Sequence, residues 1–370
     1  MQQIPKYDHT AILKVSLSKR GYNVLVGKKF APDKLKNFLD SNNFSKIIVI
    51  TDDIVYNLHY TTLAQVLPQH QVLQVNNGEK AKSFAVAYDL CEKILANNID
   101  RKSLIIAFGG GVVGDLAGFI ASILLRGIAF VQIPTTLLAM VDSSVGGKVA
   151  INSKFGKNLI GNFYQPKLVL CDLDFLTTLP EREFLSGYAE VVKYAFINDS
   201  QFFDYLDENL SLILTKNSFV LQNIIAISCK IKANIVVKDE FEQGDRALLN
   251  FGHSFAHIFE TETNYSNIIL HGEAVALGMA MAMEMSVLLN MLSLQEATKA
   301  YNHLLQAGFK LHGKFFDFSW LATNLEQHIF KDKKNYHQQL TFILLQNIGL
   351  AKIIKGVDFK IFQQVLHRFI

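Results

Sequence analysis

Residues 104–125, LIIAFGGGVVGDLAGFIASILL, constrain the fold most, because 22 residues carry a single charge and yet hold a glycine triplet. Length and apolarity alone would suit a membrane span. The glycines at 109–111, followed by Gly114 and Asp115, would break such a helix near its middle. A buried strand, a glycine turn and a buried helix account for the same letters, and that reading predicts a globular chain.

The neighbouring sequence supports it. KIIVIT (46–51), VLQVN (72–76), SLIIAF (103–108), AFVQIP (129–134) and KLVLCD (167–172) are short runs rich in β-branched residues that end in turn residues. Helix-period stretches such as AKSFAVAYDLCEKILANN lie between them, and this alternation predicts an α/β domain with a mainly parallel sheet. After FLTTLPERE the texture changes to long helix-period segments over 181–197, 201–236, 246–262 and 272–292. We expect a Rossmann-like domain over 1–178, a mainly α-helical domain over 179–370, and an active site in the cleft between them. With half of its 370 residues hydrophobic, the chain can bury a large core.

Composition excludes some functions. Lys plus Arg exceed Asp plus Glu by 36 − 33 = 3, so no global field recruits nucleic acid, and an anionic partner must be held locally. Cys91, Cys171 and Cys229 are far apart and outside CxxC spacing, which suits a reducing cytoplasm better than a disulfide framework. The N-terminal residues lack the pattern of a secretory signal.

Gly109, Gly111 and Gly114 fall at GxGxxG spacing between a predicted strand and helix, where backbone amides can approach a pyrophosphate. No acid stands between Asp115 and Asp142, so the acidic residue expected about 20 positions on is missing. Asp52, with Glu79 and Lys82 in NGEKAKS, is an alternative ribose partner; a surface turn explains those letters equally well. Asp142, Lys148, Lys157 and Asn158 lie among glycines, as in loops that wrap an oxyanion, or in solvated turns.

Glu190 and Lys193 share a helical face in apolar surroundings, where charge is costly unless it pairs or coordinates. In LNFGHSFAHIFE, His253 and His257 stand one helical turn apart, a spacing that can serve zinc but also a helix core. His271 begins another apolar helix, so Glu190, His253 and His271 are a candidate two-histidine, one-carboxylate set. Lys232, Glu242, Arg246 and Asn250 precede the histidine helix and suit either a solvated loop or a pocket for an anionic, hydroxyl-rich substrate.

The ordered motifs GGGVVGDLAGFIAS, RGIAFVQIPTTLLAMVDSSVGGK, GKNLIGNFYQP, SGYAEVVK, RALLNFGHSFAH and LHGEAVALGM resemble the 3-dehydroquinate synthase family of sugar phosphate cyclases, from about residue 20 to the C-terminus. The resemblance implies conversion of 3-deoxy-D-arabino-heptulosonate 7-phosphate to 3-dehydroquinate and phosphate in the shikimate pathway. The steps are transient oxidation by NAD, phosphate elimination, reduction, ring opening and aldol closure. It further implies one divalent metal, zinc with cobalt as substitute, and a homodimer in which Arg126 reaches the neighbouring site.

By motif, it assigns Glu190, His253 and His271 to the metal, and His257 to the substrate. NAD falls to Asp52, Glu79, Lys82, Gly110, Gly111, Val112, Asp115, Thr135, Thr136 and Thr178. Substrate falls to Asp142, Lys148, Lys157, Asn158, Lys193, Lys232, Glu242, Arg246, Asn250, His257 and Lys333 or Lys334. Asp142, Lys148, Lys193, Asn250 and His257 are the implied catalytic groups; Glu260 receives no role. Ala256 replaces a frequent glycine, and the stretch before His271 is slightly long for the family. Alternatives are a cyclase for a carboxylate-free sugar phosphate, such as 2-deoxy-scyllo-inosose synthase, a metal-dependent polyol dehydrogenase, and a non-catalytic metal-binding protein.

Overall fold

A computed structural model of the chain describes residues 10–263, 267–316 and 340–370. Their contacts fall into two units: residues up to Gly187 with Thr215–Phe241, and Tyr188–Leu214 with Glu242–Ile370. The sequence texture changes once, near residue 178, whereas the chain passes between units after 187, 214 and 241.

The first unit contains the strands β1 (Ala11–Val15), β2 (Tyr22–Gly27), β3 (Ile47–Asp52), β4 (Gln71–Val75), β5 (Leu104–Gly109), β6 (Ala129–Pro134), β7 (Lys148–Ser153), β8 (Gly156–Phe163) and β9 (Leu168–Asp172). Seven form one sheet in the order β1-β2-β9-β6-β5-β3-β4. Every pairing is parallel except that of β1 with β2. Every residue of β3, β5 and β9 is buried, which is why these strands read as continuous apolar runs and not as alternation.

The helices α1 (Ala31–Asp40), α2 (Asp53–Ala64), α3 (Phe84–Leu95) and α4 (Gly111–Ile123) connect the strands. Helix α4 packs closely enough on its neighbours that a Cβ on Gly114 would meet Gln132 Oε1 at 2.7 Å, and one on Gly118 would strike Val149. The apolar stretch of 104–125 is thus β5, a turn and α4. At its end three consecutive residues are left-handed, Leu125 (φ 50°), Arg126 (φ 67°) and Gly127 (φ 118°). Gly127 N donates to Leu124 O at 2.8 Å, Ile128 N to Ala121 O at 2.9 Å, and Tyr164 Oη to Ile128 O at 2.7 Å, so the corner is pinned from several sides.

Two segments differ from the sequence expectation. The glycine-containing loops around 148–163 pair as an antiparallel hairpin of β7 and β8, with Lys148 opposite Phe163 and Ile151 opposite Ile160. Buried Val149 and Ile151 anchor β7 against the same core as α4. The helix-period segment 201–236 is three helices, α6 (Ser200–Glu208), α7 (Leu210–Leu214) and α8 (Ser218–Lys238). Left-handed Lys216 (φ 57°) and Asn217, whose side chain accepts from Val220 N at 3.2 Å, stop one helix and start the next. Helix α8 then packs on β1 and β2 in the first unit. By length and hydropathy it could cross a membrane, but 83% of its most apolar window is buried in the protein.

Helix α5 (Glu181–Asn198) supplies its C-terminal part to the second unit. There α6 and α7 are joined by α9 (His253–Glu262), α10 (His271–Leu288), α11 (Leu294–Gln306), the hairpin of β10 (Thr341–Asn347) and β11 (Leu350–Lys355), and α12 (Phe359–Phe369). Helix α10 is buried around most of its circumference, as expected of a helix apolar on all faces. It crosses α9 where a Cβ on Gly278 would clash with the carbonyl oxygen of Gly252, itself left-handed at φ 81°. This contact sets how closely the helices beginning with His253 and His271 approach. Gly278→Ala is expected to cost about 1–3 kcal/mol by overpacking, read as a lower denaturation midpoint of the metal-free protein with little change in m.

Candidate nucleotide turn and metal-ligand cluster

In the first unit the chain runs from β3 to its neighbour β4 and then to β5 on the other side of β3. Such a reversal opens a crevice at the carboxyl ends of the strands, where doubly wound sheets take nucleotides. Asp52 ends β3 and Gly109 ends β5, adjacent strands that pair as far as Thr51 and Phe108. Gly110 caps α4 without a side chain, so the helix amides face outward from a turn suited to an anion. A Cβ on Gly111 would sit 3.1 Å from Ser143 Oγ, and one on Gly110 3.2 Å from Thr136 Cγ2. Thr135 N donates to Gly109 O at 3.0 Å, and Thr136 Oγ1 accepts from Ala139 N at 3.1 Å. Val112 is in the first turn of α4.

Asp52 also has a structural task, since its Oδ1 accepts from Val55 N at 2.9 Å as the cap of α2. Burial raises its pKa against the effect of those amides. Thr178 is exposed, and its Oγ1 lies 2.7 Å from His59 Nε2.

Lys82 organises the next group. Only 4% exposed, its ammonium donates to Asp115 Oδ2 at 2.7 Å and to Asn158 Oδ1, with Glu79 Oε1 at 3.8 Å. Burial raises the Asp115 pKa while the Lys82 charge opposes it. Asn152 ties the group together, donating from Nδ2 to Glu79 Oε1 at 2.7 Å and accepting the Asn158 amide at 2.9 Å. Asn158 is left-handed at φ 57°. Lys232 of α8 donates to Asp142 Oδ1 at 2.6 Å and to Asp142 O at 2.7 Å. Lys148 is exposed and Lys157 half-buried on the β7–β8 hairpin.

The second unit holds the other cluster. Glu190 is fully buried and paired with Lys193, itself 2% exposed. Glu190 Oε1 lies 3.5 Å from His253 Nε2 and 3.4 Å from His271 Nε2. Glu190, His253 and His271 present ligand atoms all within 4.8 Å of one another, a donor set that fits a divalent metal with a coordination position left for substrate. His253 Nδ1 lies 3.2 Å from Phe251 O, and His271 Nδ1 lies 3.2 Å from Glu260 Oε1. His257 is exposed, its ring centroid 5.6 Å from that of His253. Arg246 is buried, while exposed Asn250 meets Glu242 Oε1 at 3.5 Å.

Burial, then the Lys193 charge, lowers the His253 pKa to about 3. Burial also opposes charging of His271, but hydrogen bonds to Glu190 and Glu260 outweigh it and raise its pKa to about 10.

The structure thus gathers Glu190, His253, His271 and Lys193 in one cluster, Glu79, Lys82, Asp115 and Asn158 in a second, and Asp142 with Lys232 as a pair. Lys333 and Lys334 lie outside the described residues. Sequence reading passed over Asn152 and His59, which carry no motif by spacing, and left Glu260 without a role. The seven-residue interval from His253 to Glu260 was the available sign that both lie on one helical face.

Among solved structures, 2-deoxy-scyllo-inosose synthase superposes with a TM-score of 0.86 at 24% identity, over 97% of this chain and 100% of the other. The 2-epi-5-epi-valiolone synthase of Streptomyces hygroscopicus subsp. jinggangensis gives 0.82 at 25% identity, over 96% and 98%. The fold is that of the sugar phosphate cyclases. Models of the 3-dehydroquinate synthase N-terminal and C-terminal regions match residues 72–186 and 187–335. The 3-dehydroquinate synthase of Bartonella bacilliformis is 44% identical over 358 residues, 93% of this chain and 94% of the relative. The chain belongs to the 3-dehydroquinate synthase family, phosphate-eliminating carbon–oxygen lyases.

His271→Ala is expected to lose bound metal by elemental analysis, whereas His257→Ala keeps it; the reverse pattern would exchange the two assignments. In metal-free protein, a folded His271 pKa of about 10 against 6.5 means that its contribution to stability is complete below about pH 6.5 and fades as pH rises toward 10. Denaturant titrations of chelated protein should show that loss, and His271→Gln should reduce the slope over the same window.

Proposed function

We propose that this chain converts 3-deoxy-D-arabino-heptulosonate 7-phosphate to 3-dehydroquinate and phosphate, using NAD and one divalent metal, zinc or cobalt. The observation that carries the reading is the convergence of Glu190, His253 and His271, 81 positions apart from first to last, in a family member. The valiolone synthase structure has NAD+ and Zn2+ bound, in keeping with this donor set.

We assign the domain that carries the glycine turn between β5 and α4 to NAD, with Asp52, Glu79, Lys82, Gly110, Gly111, Val112, Asp115, Thr135, Thr136 and Thr178 as its partners. Bound there, NAD would take and return one hydride, while metal at Glu190, His253 and His271 would acidify substrate hydroxyls and polarise the transient ketone. Lys193 neutralises Glu190 and supplies positive charge beside the ligands. Lys232, held by Asp142, and Arg246 are the assigned partners of the substrate carboxylate. Lys148, Lys157, Asn158, Glu242, Asn250 and the Lys333 segment complete the substrate set. His257, exposed beside His253, is assigned to move a proton.

A homodimer and a cytoplasmic setting belong to the same proposal. In support, Arg126 is exposed on its pinned corner two residues after Leu124, which lines an apolar groove with Phe84, Tyr88 and Ile123, themselves 61%, 62% and 48% exposed. All three cysteines are free.

Phosphate release from the heptulosonate substrate should require both metal and NAD+ and leave no net NADH. Steady NADH accumulation would turn the assignment to a polyol dehydrogenase. Turnover only with glucose 6-phosphate or sedoheptulose 7-phosphate would remove the carboxylate role of Lys232 and Arg246, and metal uptake without turnover of any of them would mark a non-catalytic protein.

A further inference from the structure

Each histidine of the cluster has a second ring nitrogen, and what that nitrogen meets decides which nitrogen is left for a metal. For His253 the partner is a backbone carbonyl, with Nδ1 3.2 Å from Phe251 O. For His271 it is a carboxylate, Glu260 Oε1, also at 3.2 Å. In both rings Nε2 is the atom turned toward Glu190. Two histidines on different helices share one orientation, each with an oxygen behind Nδ1.

Glu260 is itself 5% exposed, and a carboxylate in that setting is costly unless charge compensates it. Lys193 already accompanies Glu190. A dication joining one carboxylate and one ammonium leaves the cluster at +2; counting Glu260 lowers that to +1. The second carboxylate therefore offsets charge as well as orienting a ring. Helix α9 supplies both members of this arrangement, His253 in its first turn and Glu260 seven residues on, so a single rigid element fixes one ligand and the orientation of the other.

We propose that Glu260 is a positioning residue for the metal centre: it accepts a hydrogen bond from His271 Nδ1–H, so that Nε2 is the nitrogen that yields its proton when the ion binds, and it balances the charge of the bound ion. The inference rests on the reading that Glu190, His253 and His271 take a divalent metal.

The test uses cadmium as probe. In full-length wild-type protein labelled with nitrogen-15 in histidine, cadmium-113 should couple to Nε2 of His271 while Nδ1 keeps its proton. Competition with a chelator should show cadmium and zinc affinity falling about 10–100-fold in Glu260→Ala. Glu260→Gln, which retains an acceptor and loses the charge, should fall in between. The near-ultraviolet circular dichroism of metal-free samples reports whether each variant is folded, and the wild-type couplings and Glu260→Gln carry the test if Glu260→Ala is not. Coupling to Nδ1, or folded Glu260→Ala with affinity within about twofold of wild type, well short of the usual loss, would overturn the role of Glu260 while leaving the metal site standing. Wild-type protein that takes up neither ion would overturn both readings.

Discussion

The second unit is organised around a carboxylate with no exposure to solvent. Burying Glu190 alone would be prohibitive, and Lys193 one turn along α5 together with the imidazole of His271, held charged in the metal-free protein, meets that cost, while the neutral imidazole of His253 stands beside them on a third helix. Those imidazoles can converge only because α9 and α10 cross at Gly252 and Gly278, where backbone stands in for side chains. Packing and chemistry are therefore one constraint here, and a methyl group at the crossing would disturb the ligand geometry along with the core.

The first unit handles charge differently. Its buried cations are already partnered, Lys82 by Asp115 and Lys232 by Asp142, in a chain whose net formal charge is only +3. Such pairing keeps a lysine extended and charged inside an apolar fold. Each ammonium is thereby preset, its side-chain freedom largely removed by its protein partner.

Much of this was legible in sequence where burial leaves a one-dimensional trace. Strands β3, β5, β6 and β9 announce themselves as apolar runs, and the glycines of 109–114 mark the turn before α4. Glu190 and Lys193 betray a buried charged face by standing three apart among apolar residues. The β7–β8 hairpin was obscured because its exposed strand, GKNLIGNF, carries turn residues that compete with strand propensity. The break at Lys216 and Asn217 was hidden by unbroken helical periodicity on either side. Glu260 and Asn152 act through contacts to residues 11 and 73 positions away, and no local pattern encodes such partners. Family resemblance groups Glu190, His253 and His271, whose donor atoms lie within 4.8 Å of one another, but it carries no role for Glu260 or Asn152.

The left-handed corner at Leu125, Arg126 and Gly127 has a kinetic meaning. Backbone in this region is held at a cost of about 1–3 kcal/mol per non-glycine residue, and here hydrogen bonds from Gly127, Ile128 and Tyr164 hold it within the chain itself. Arg126 is accordingly displayed on a stiff stalk, with only its side-chain torsions left to settle when it meets an acceptor. Any partner meeting this corner would dock on it without a preceding loop rearrangement, at a rate governed by encounter more than by folding.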